Sequence, residues 1–488
     1  MDVGLELELG IPTPMVLTSV SSRWRSVAIS SQTLWSSLAL EVSSIPYEYS
    51  CGDNEARDAK AEEVKERCHK MAELYMNRAN NAPLSLSFKD LSDGTDTLAI
   101  DMALDSLCRR AHQWQSLVLE IQTDFLDKHR AFRIVRGELT NLREVTFFVE
   151  GASEARMMRF LGYCPSLRSV RYELVVDSVP RPPGNLHTTL WSQLESLSLF
   201  VWDHDMRPDV LRIVELCTNL AHLHIEFPQR KGSSYINPAA PESHTHCTSN
   251  VKSLCLETNG PSEVAVFDGF LPYITTPNLD TLRLRGHPGI PGDSFVEDDE
   301  KHLLAFVQRS ACTITSLSLF YADLHEEALV QLFRLLPNVT RLSIHDRIPP
   351  LGFNTKRLFK HVLANPQKSE ERSLLPHLRH LNLQMHCGRT DYDAFVEAMK
   401  CRCLPDIEPS TKVGVDSIRS LLINFIDRTE KVVSESFQSL DEFKRAGLEV
   451  CIEDTKCESG LNTSYRGIVG VLSILDLLPS TQEEPAFT

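Results

Sequence analysis

Along most of this chain one six-residue pattern of apolar and polar positions keeps returning: L-x-x-L-x-L, with Ile, Val, Phe or Tyr standing in for Leu. Clear copies begin at Leu142, Leu167, Leu194, Leu220, Val251, Leu279, Ile314, Val339, Leu378 and Ile418, with a weaker first copy at Trp114. Side chains alternate along a strand, so the fourth and sixth residues of each copy share one face and the third and fifth share the other. The apolar fourth and sixth residues predict a buried face on which successive copies stack. The stretches between copies carry a helical period instead. Val210, Ile213, Val214 and Cys217 line one side of a predicted helix, and Leu329, Leu332, Phe333 and Leu336 line another. Pro165, Pro277 and Pro337 stand just before the next strand, where proline ends a helix.

The first residues of successive copies lie 25 to 40 positions apart, and six of the ten gaps fall within the roughly 20 to 29 residues of a leucine-rich repeat. The pattern therefore predicts an α/β leucine-rich-repeat solenoid, with a curved parallel sheet inside and helices outside. One such unit cannot cover its own apolar face, so only the stack is stable. A generic α/β protein with Leu-rich strands is the alternative. The consensus Asn or Cys three residues after the third apolar position is met only by Asn259, which predicts irregular curvature.

Outside the array the pattern predicts a helix over Ala56–Asn80, with Val64, Cys68, Met71 and Tyr75 on its apolar side. A strand over Leu84–Phe88 opens the array, and a second helix runs from Leu98 to Trp114. Leu448–Ile452 reads as a last strand. Four stretches read as loops: Phe227–Asn250, Gly286–Glu300, Arg347–Leu375 and Cys401–Asp416. The expected organisation is an unstructured start over 1–14, a helical segment over 15–40, a linker and helix over 41–83, the array over 84–478 and a disordered tail over 479–488.

Composition narrows the function. The chain has 488 residues, 42% hydrophobic and 24% charged, which suits a globular protein with a large core. A net charge of −16, from 66 acidic and 50 basic residues, argues against nucleic acid as the partner. No apolar run is long enough for a membrane helix. Acidic residues open the chain where a signal peptide needs positive charge, and the 13 cysteines are an odd number without a frame. An intracellular location (cytoplasmic, nuclear or both) with reduced thiols is expected. No phosphate-binding, nucleophile-elbow or H-E-x-x-H motif is present. The C-x-C pair Cys401/Cys403 and the group His244, His246 and Cys247 lack paired C-x-x-C spacing. No enzyme activity, cofactor or metal is expected.

Residues 15 to 40 carry Val20, Ser21, Trp24, Val27, Ala28, Leu34 and Trp35 at the positions of V-C-x-x-W, an apolar helix and a terminal L-W. This resembles the second half of an F-box. With the repeats behind it, the chain is similar to the F-box-like leucine-rich-repeat proteins abundant in mushroom-forming fungi. The family's opening Leu-Pro pair and first helix have no counterpart in Met1–Pro14, so the box is truncated or degenerate. The resemblance implies docking of a Skp-type adaptor and through it a cullin, making the chain a substrate receptor of a ubiquitin ligase. Leu17, Val20, Trp24, Val27, Leu34 and Trp35 would hold the adaptor. The spacing of Leu17, Val20, Trp24 and Val27 predicts one face of one helix. The alternative role for the segment is a cap over the end of the array.

A target would lie on the outward strand positions. Arg171, His222, His224, Arg283, Arg285, Arg341, His345 and His380 stand there, a stripe more basic than the chain as a whole. Such a stripe suits an acidic or phosphorylated protein segment. The alternative is a merely solvated sheet.

Overall fold

The computed structural model describes residues 13–43, 54–91, 101–122, 132, 135, 137–150, 160–162, 164–175, 188–201, 207–228, 246–259, 267, 270–286, 297–322, 324–345, 374–386, 392–403, 415–426, 444–445 and 447–455. Among the described residues, fourteen strands form one parallel sheet and follow one another in chain order. They are β1 (Ser37–Ser43), β2 (Leu84–Leu91), β3 (Trp114–Gln122), β4 (Glu144–Glu150), β5 (Ser169–Val175), β6 (Ser196–Phe200) and β7 (His222–Pro228), followed by β9 (Ser253–Asn259), β11 (Thr281–Arg285), β12 (Ser316–Phe320), β13 (Arg341–His345), β14 (His380–His386), β15 (Ser420–Ile426) and β16 (Glu449–Thr455). Two short strands, β8 (Cys247–Thr248) and β10 (Ile274–Thr275), pair with each other apart from the main sheet. They lie in and beside a stretch the sequence predicts as loop.

The register sets equivalent positions of the six-residue pattern side by side. Leu223, Leu254, Leu282, Leu317, Leu342, Leu381 and Leu421 are lateral neighbours, and Ile225, Leu256, Leu284, Leu319, Ile344, Leu383 and Ile423 form the second row. All of these side chains are buried. Each contributes about 1.5–3 kcal/mol by leaving water. Helices cover this face. Val210, Ile213 and Val214 are buried on the helix Arg207–Leu216, and Leu329, Leu332 and Phe333 on the helix Glu326–Leu335.

The strands share a hydrogen-bonded ladder at their N-terminal ends. The carbonyl of Arg143 accepts from the amides of Arg168 and Ser169, and that of Arg168 accepts from Glu195 and Ser196. The same fork recurs at Glu195, Ala221, Lys252, Asp280, Thr315, Thr340 and Arg379. Side-chain amides tie neighbouring turns as well: Asn141 donates to the His112 carbonyl at 2.6 Å, and Asn219 to the Ser192 carbonyl at 2.6 Å. The asparagines thus stand before the strand, one residue ahead of the first Leu of the pattern. Arg402 is buried and donates to the carbonyls of Leu375 and Leu378, closing a turn from within the core.

Three expectations near the N-terminus change. The sheet begins one strand earlier than Leu84, because Ser37–Ser43 pairs in parallel with β2. The helix predicted over Leu98–Trp114 ends at Cys108, and Trp114 opens a strand with its indole donating to the Leu107 carbonyl at 3.2 Å. Leu17, Val20, Trp24 and Val27 do not share one helix. Helix α1 (Thr13–Val20) ends, and α2 (Ser22–Ser30) begins after Ser21. Ser21 is extended, and its hydroxyl accepts the Trp24 amide at 3.2 Å. A serine that caps the next helix competes with continuing the previous one. The helix Asn54–Ala79 forms as expected, with Cys68 and Tyr75 buried. The predicted loops over Gly286–Glu300, Arg347–Leu375 and Cys401–Asp416 lie largely outside the described residues, as do the start over 1–12, His244 and everything after 455.

Candidate functional site

The outward face of the sheet carries its polar side chains in straight rows set by the register. One row reads Arg171, Ser198, His224, Cys255, Arg283, Ser318, Ser343, Asn382. The row two residues further along each strand reads Phe200, Glu226, Glu257, Arg285, Phe320, His345, Gln384. Where these rows cross β7, β9 and β11, charges of both signs meet.

Glu257 is at the centre. Its Oε2 lies 3.3 Å from Nε2 of His224 and its Oε1 3.5 Å from Nε of Arg285. The His224 contact is an ion pair rather than an aligned hydrogen bond. On the other side of the ring, Nδ1 of His224 meets the Ser198 hydroxyl at 3.1 Å. Burial alone would lower the His224 pKa, but Cys255 and Glu257 outweigh it and lift the imidazole to about 10. Since a thiol is mostly protonated at neutral pH, the carboxylate is the partner that matters there. Burial would raise the Glu257 carboxyl, yet His224, Arg285 and Arg171 hold it below the ordinary value. Protein carboxylates therefore already balance part of the basic stripe.

Further along, His345 stacks edge-on against Phe320 at 4.2 Å between ring centres and faces Tyr321 at 6.4 Å. Burial first, and Arg285 second, push its pKa down to about 4, so it is neutral near pH 7. Arg283, between Cys255 and Ser318 in the other row, has an Nε that is buried without a hydrogen-bond partner. Arg341 and His380 are exposed, one strand apart at the N-terminal ends of β13 and β14. Burial and the charges of Arg341, Arg419 and Arg379 lower the His380 pKa. His222 is exposed too, and is lowered by burial and by Lys252.

All eight predicted target-binding residues thus stand on the outward face, in two groups rather than one stripe. Arg171, His224, Arg283, Arg285 and His345 crowd the middle rows. His222, Arg341 and His380 line the strand starts. Sequence reasoning missed Glu226 and Glu257, although they occupy the same register position as Arg285, Phe320 and His345. His224, Glu226 and Glu257 offer donor atoms all within 4.8 Å of one another, the one such group of His, Cys, Asp or Glu among the described residues. Burial lifts the thiols of Cys108, Cys164, Cys217 and Cys403 to about 12, and that of Cys247 to about 11.

The six N-terminal candidates divide differently. Val20, Trp24 and Val27 are exposed, at 61%, 51% and 52%. With Val16 and Ile29 they make up five of the seven exposed large apolar side chains among the described residues. Arg25 holds the two helices together by donating to the Thr18 carbonyl at 2.8 Å. Leu17 is half-buried, and Leu34 packs on the core. Trp35 is core itself: 3% exposed, edge-on to Tyr75, with its indole donating to the Ala28 carbonyl at 2.7 Å. It therefore presents nothing to a partner, and the expected docking role is corrected for that residue. Among the described residues no helix is long and apolar enough to cross a membrane. No protein-family model and no curated protein matches this sequence.

Proposed function

We propose that this chain is a leucine-rich-repeat solenoid acting as a non-enzymatic protein-binding subunit, the substrate receptor of a Skp/cullin/F-box ubiquitin ligase. Its first two helices would dock the adaptor, and the open face of the sheet would carry the target. The observation that carries this reading is the concentration of exposed apolar side chains on α1 and α2: Val16, Val20, Trp24, Val27 and Ile29. A monomer gains nothing by exposing such a cluster, which suits a partner surface with an aromatic anchor. The target reading draws on Arg171, Arg283, Arg341 and His380 of the outward face. An acidic or phosphorylated segment is the ligand whose chemistry fits them.

One observation favours a second reading, a repeat scaffold with no ligase link. Of the residues that the F-box resemblance would assign to the adaptor, Trp35 belongs to the core and Leu34 packs against it. In that case the segment is a cap. Co-purification of the full chain with a Skp-type adaptor separates the two. The variant Val20→Ser/Trp24→Ser/Val27→Ser removes the exposed surface and leaves Trp35 in place. Adaptor held by the native chain and lost by the folded variant supports the receptor. No adaptor on the folded native chain leaves the scaffold.

A further inference from the structure

We propose that His224, Glu226 and Glu257 form a binding site for a divalent cation of the zinc type. The inference needs neither an adaptor nor a target and goes beyond the reading above. Their donor atoms come from adjacent strands, β7 and β9, and lie within 4.8 Å of one another. The separation of His224 Nε2 and Glu257 Oε2, 3.3 Å, is the distance between neighbouring donors of a tetrahedral zinc. Bonds of about 2.0–2.1 Å at a tetrahedral angle set ligand atoms about 3.3 Å apart.

The atoms behind the donors are anchored as metal ligands are. Ser198 meets Nδ1 of His224 at 3.1 Å, which fixes the ring and leaves Nε2 facing the carboxylate. Arg285 takes Oε1 of Glu257 at 3.5 Å, which leaves Oε2 facing the imidazole. Such outer partners orient ligands and tune their donor strength. Nε2 of His224 is buried and faces Oε2 of Glu257 without an aligned hydrogen bond, so the ring is aimed into the group. A cation replaces the Nε2 proton and lies between the carboxylates. An imidazole beside two carboxylates suits zinc better than magnesium or calcium, which take oxygen donors. Arg171 and Arg285 oppose the ion's charge, so the site should be weaker than one built from anionic ligands alone.

The test is zinc uptake by the full chain after chelator treatment, read by equilibrium dialysis against a competing indicator. The native chain should bind one more zinc ion than Glu257→Gln, and Ser198→Ala should bind that ion about tenfold or more weakly. Equal uptake by the native chain and a folded Glu257→Gln overturns the site. Should Glu257→Gln fail to fold, cobalt loading of the native chain decides. A four-coordinate cobalt spectrum that weakens in Ser198→Ala supports the site. A six-coordinate spectrum, or one indifferent to Ser198→Ala, overturns it.

Discussion

The indole of Trp35 donates to the carbonyl of Ala28, 2.7 Å away, and so ties the short turn before the first strand back to the second helix. Its ring lies edge-on to Tyr75 at 5.3 Å, inside the same core that the long helix Asn54–Ala79 closes. Trp24, eleven residues earlier, stands half in solvent. The two tryptophans of the F-box-like segment therefore have separable roles. Trp35→Ala should lower the urea-denaturation stability of the full chain by about 3–5 kcal/mol, the range for deleting a buried large aromatic. Trp24→Ala should change it by no more than about 0.5 kcal/mol. Equal losses in both variants would contradict this division.

The sheet register offers a second test. Leu381 is 3% exposed and sits between Leu342 and Leu421 in the apolar row. An aspartate there would be an unpaired charge in an apolar stack. Leu381→Asp should remove the cooperative thermal transition or lower its midpoint by well over ten degrees, an effect of more than about 4 kcal/mol. Asn382→Asp, one residue on and on the open face, should melt close to the native chain. A native-like transition in Leu381→Asp would mean that the inward row is assigned to the wrong face.

These two cases show what was legible in sequence. The inward row was, because Leu and Ile at positions four and six recur so often that register and face follow from period alone. The break at Ser21 was not, since an apolar spacing of three and four continues across it and only the cap geometry ends the helix. Strand β1 was hidden because Ser37–Ser43 carries only half of the repeat pattern and reads as the tail of the helical motif. The charge balance of the outward face was half legible. Arg171, His224 and Arg285 stood out as exceptions in an acidic chain, whereas Glu226 and Glu257 passed as ordinary acidic residues. Their meaning lies in lateral pairing with His224 and Arg285, which only the register reveals.

His345 makes a pH prediction. An unfolded chain holds histidine near its ordinary pKa of about 6.5, while in the fold His345 is pushed down to about 4. The unfolded state then binds more protons in this window, so the contribution of His345 is fully present above pH 6.5 and is lost as pH falls toward 4. His224 acts with the opposite sign: raised to about 10, its contribution is fully present below pH 6.5 and is lost as pH rises toward 10. The difference between two chains isolates His345. Between pH 7 and 5, the native chain should lose about 2 kcal/mol more stability than His345→Phe, whose ring can keep the edge-on contact with Phe320. Parallel pH profiles for the two chains would show that His345 titrates normally in the fold.

The outward face makes the last prediction. Arg285 is partly committed to Glu257, whereas Arg283 has a buried Nε without a hydrogen bond and Arg341 is exposed. If acidic segments are recognised on this face, the cations that matter are those not already held by protein carboxylates. The double variant Arg283→Glu/Arg341→Glu should therefore lose the retention of immobilised phosphoserine peptides that the native chain shows, and native retention should fall as salt is added. Arg285→Gln should weaken retention less, because its charge is spent within the molecule. Thermal melting of each variant separates lost binding from lost fold. Retention unchanged in a folded double variant would assign the target to another surface. Greater loss in Arg285→Gln than in Arg283→Gln would show instead that the Glu257 pair opens to meet the ligand.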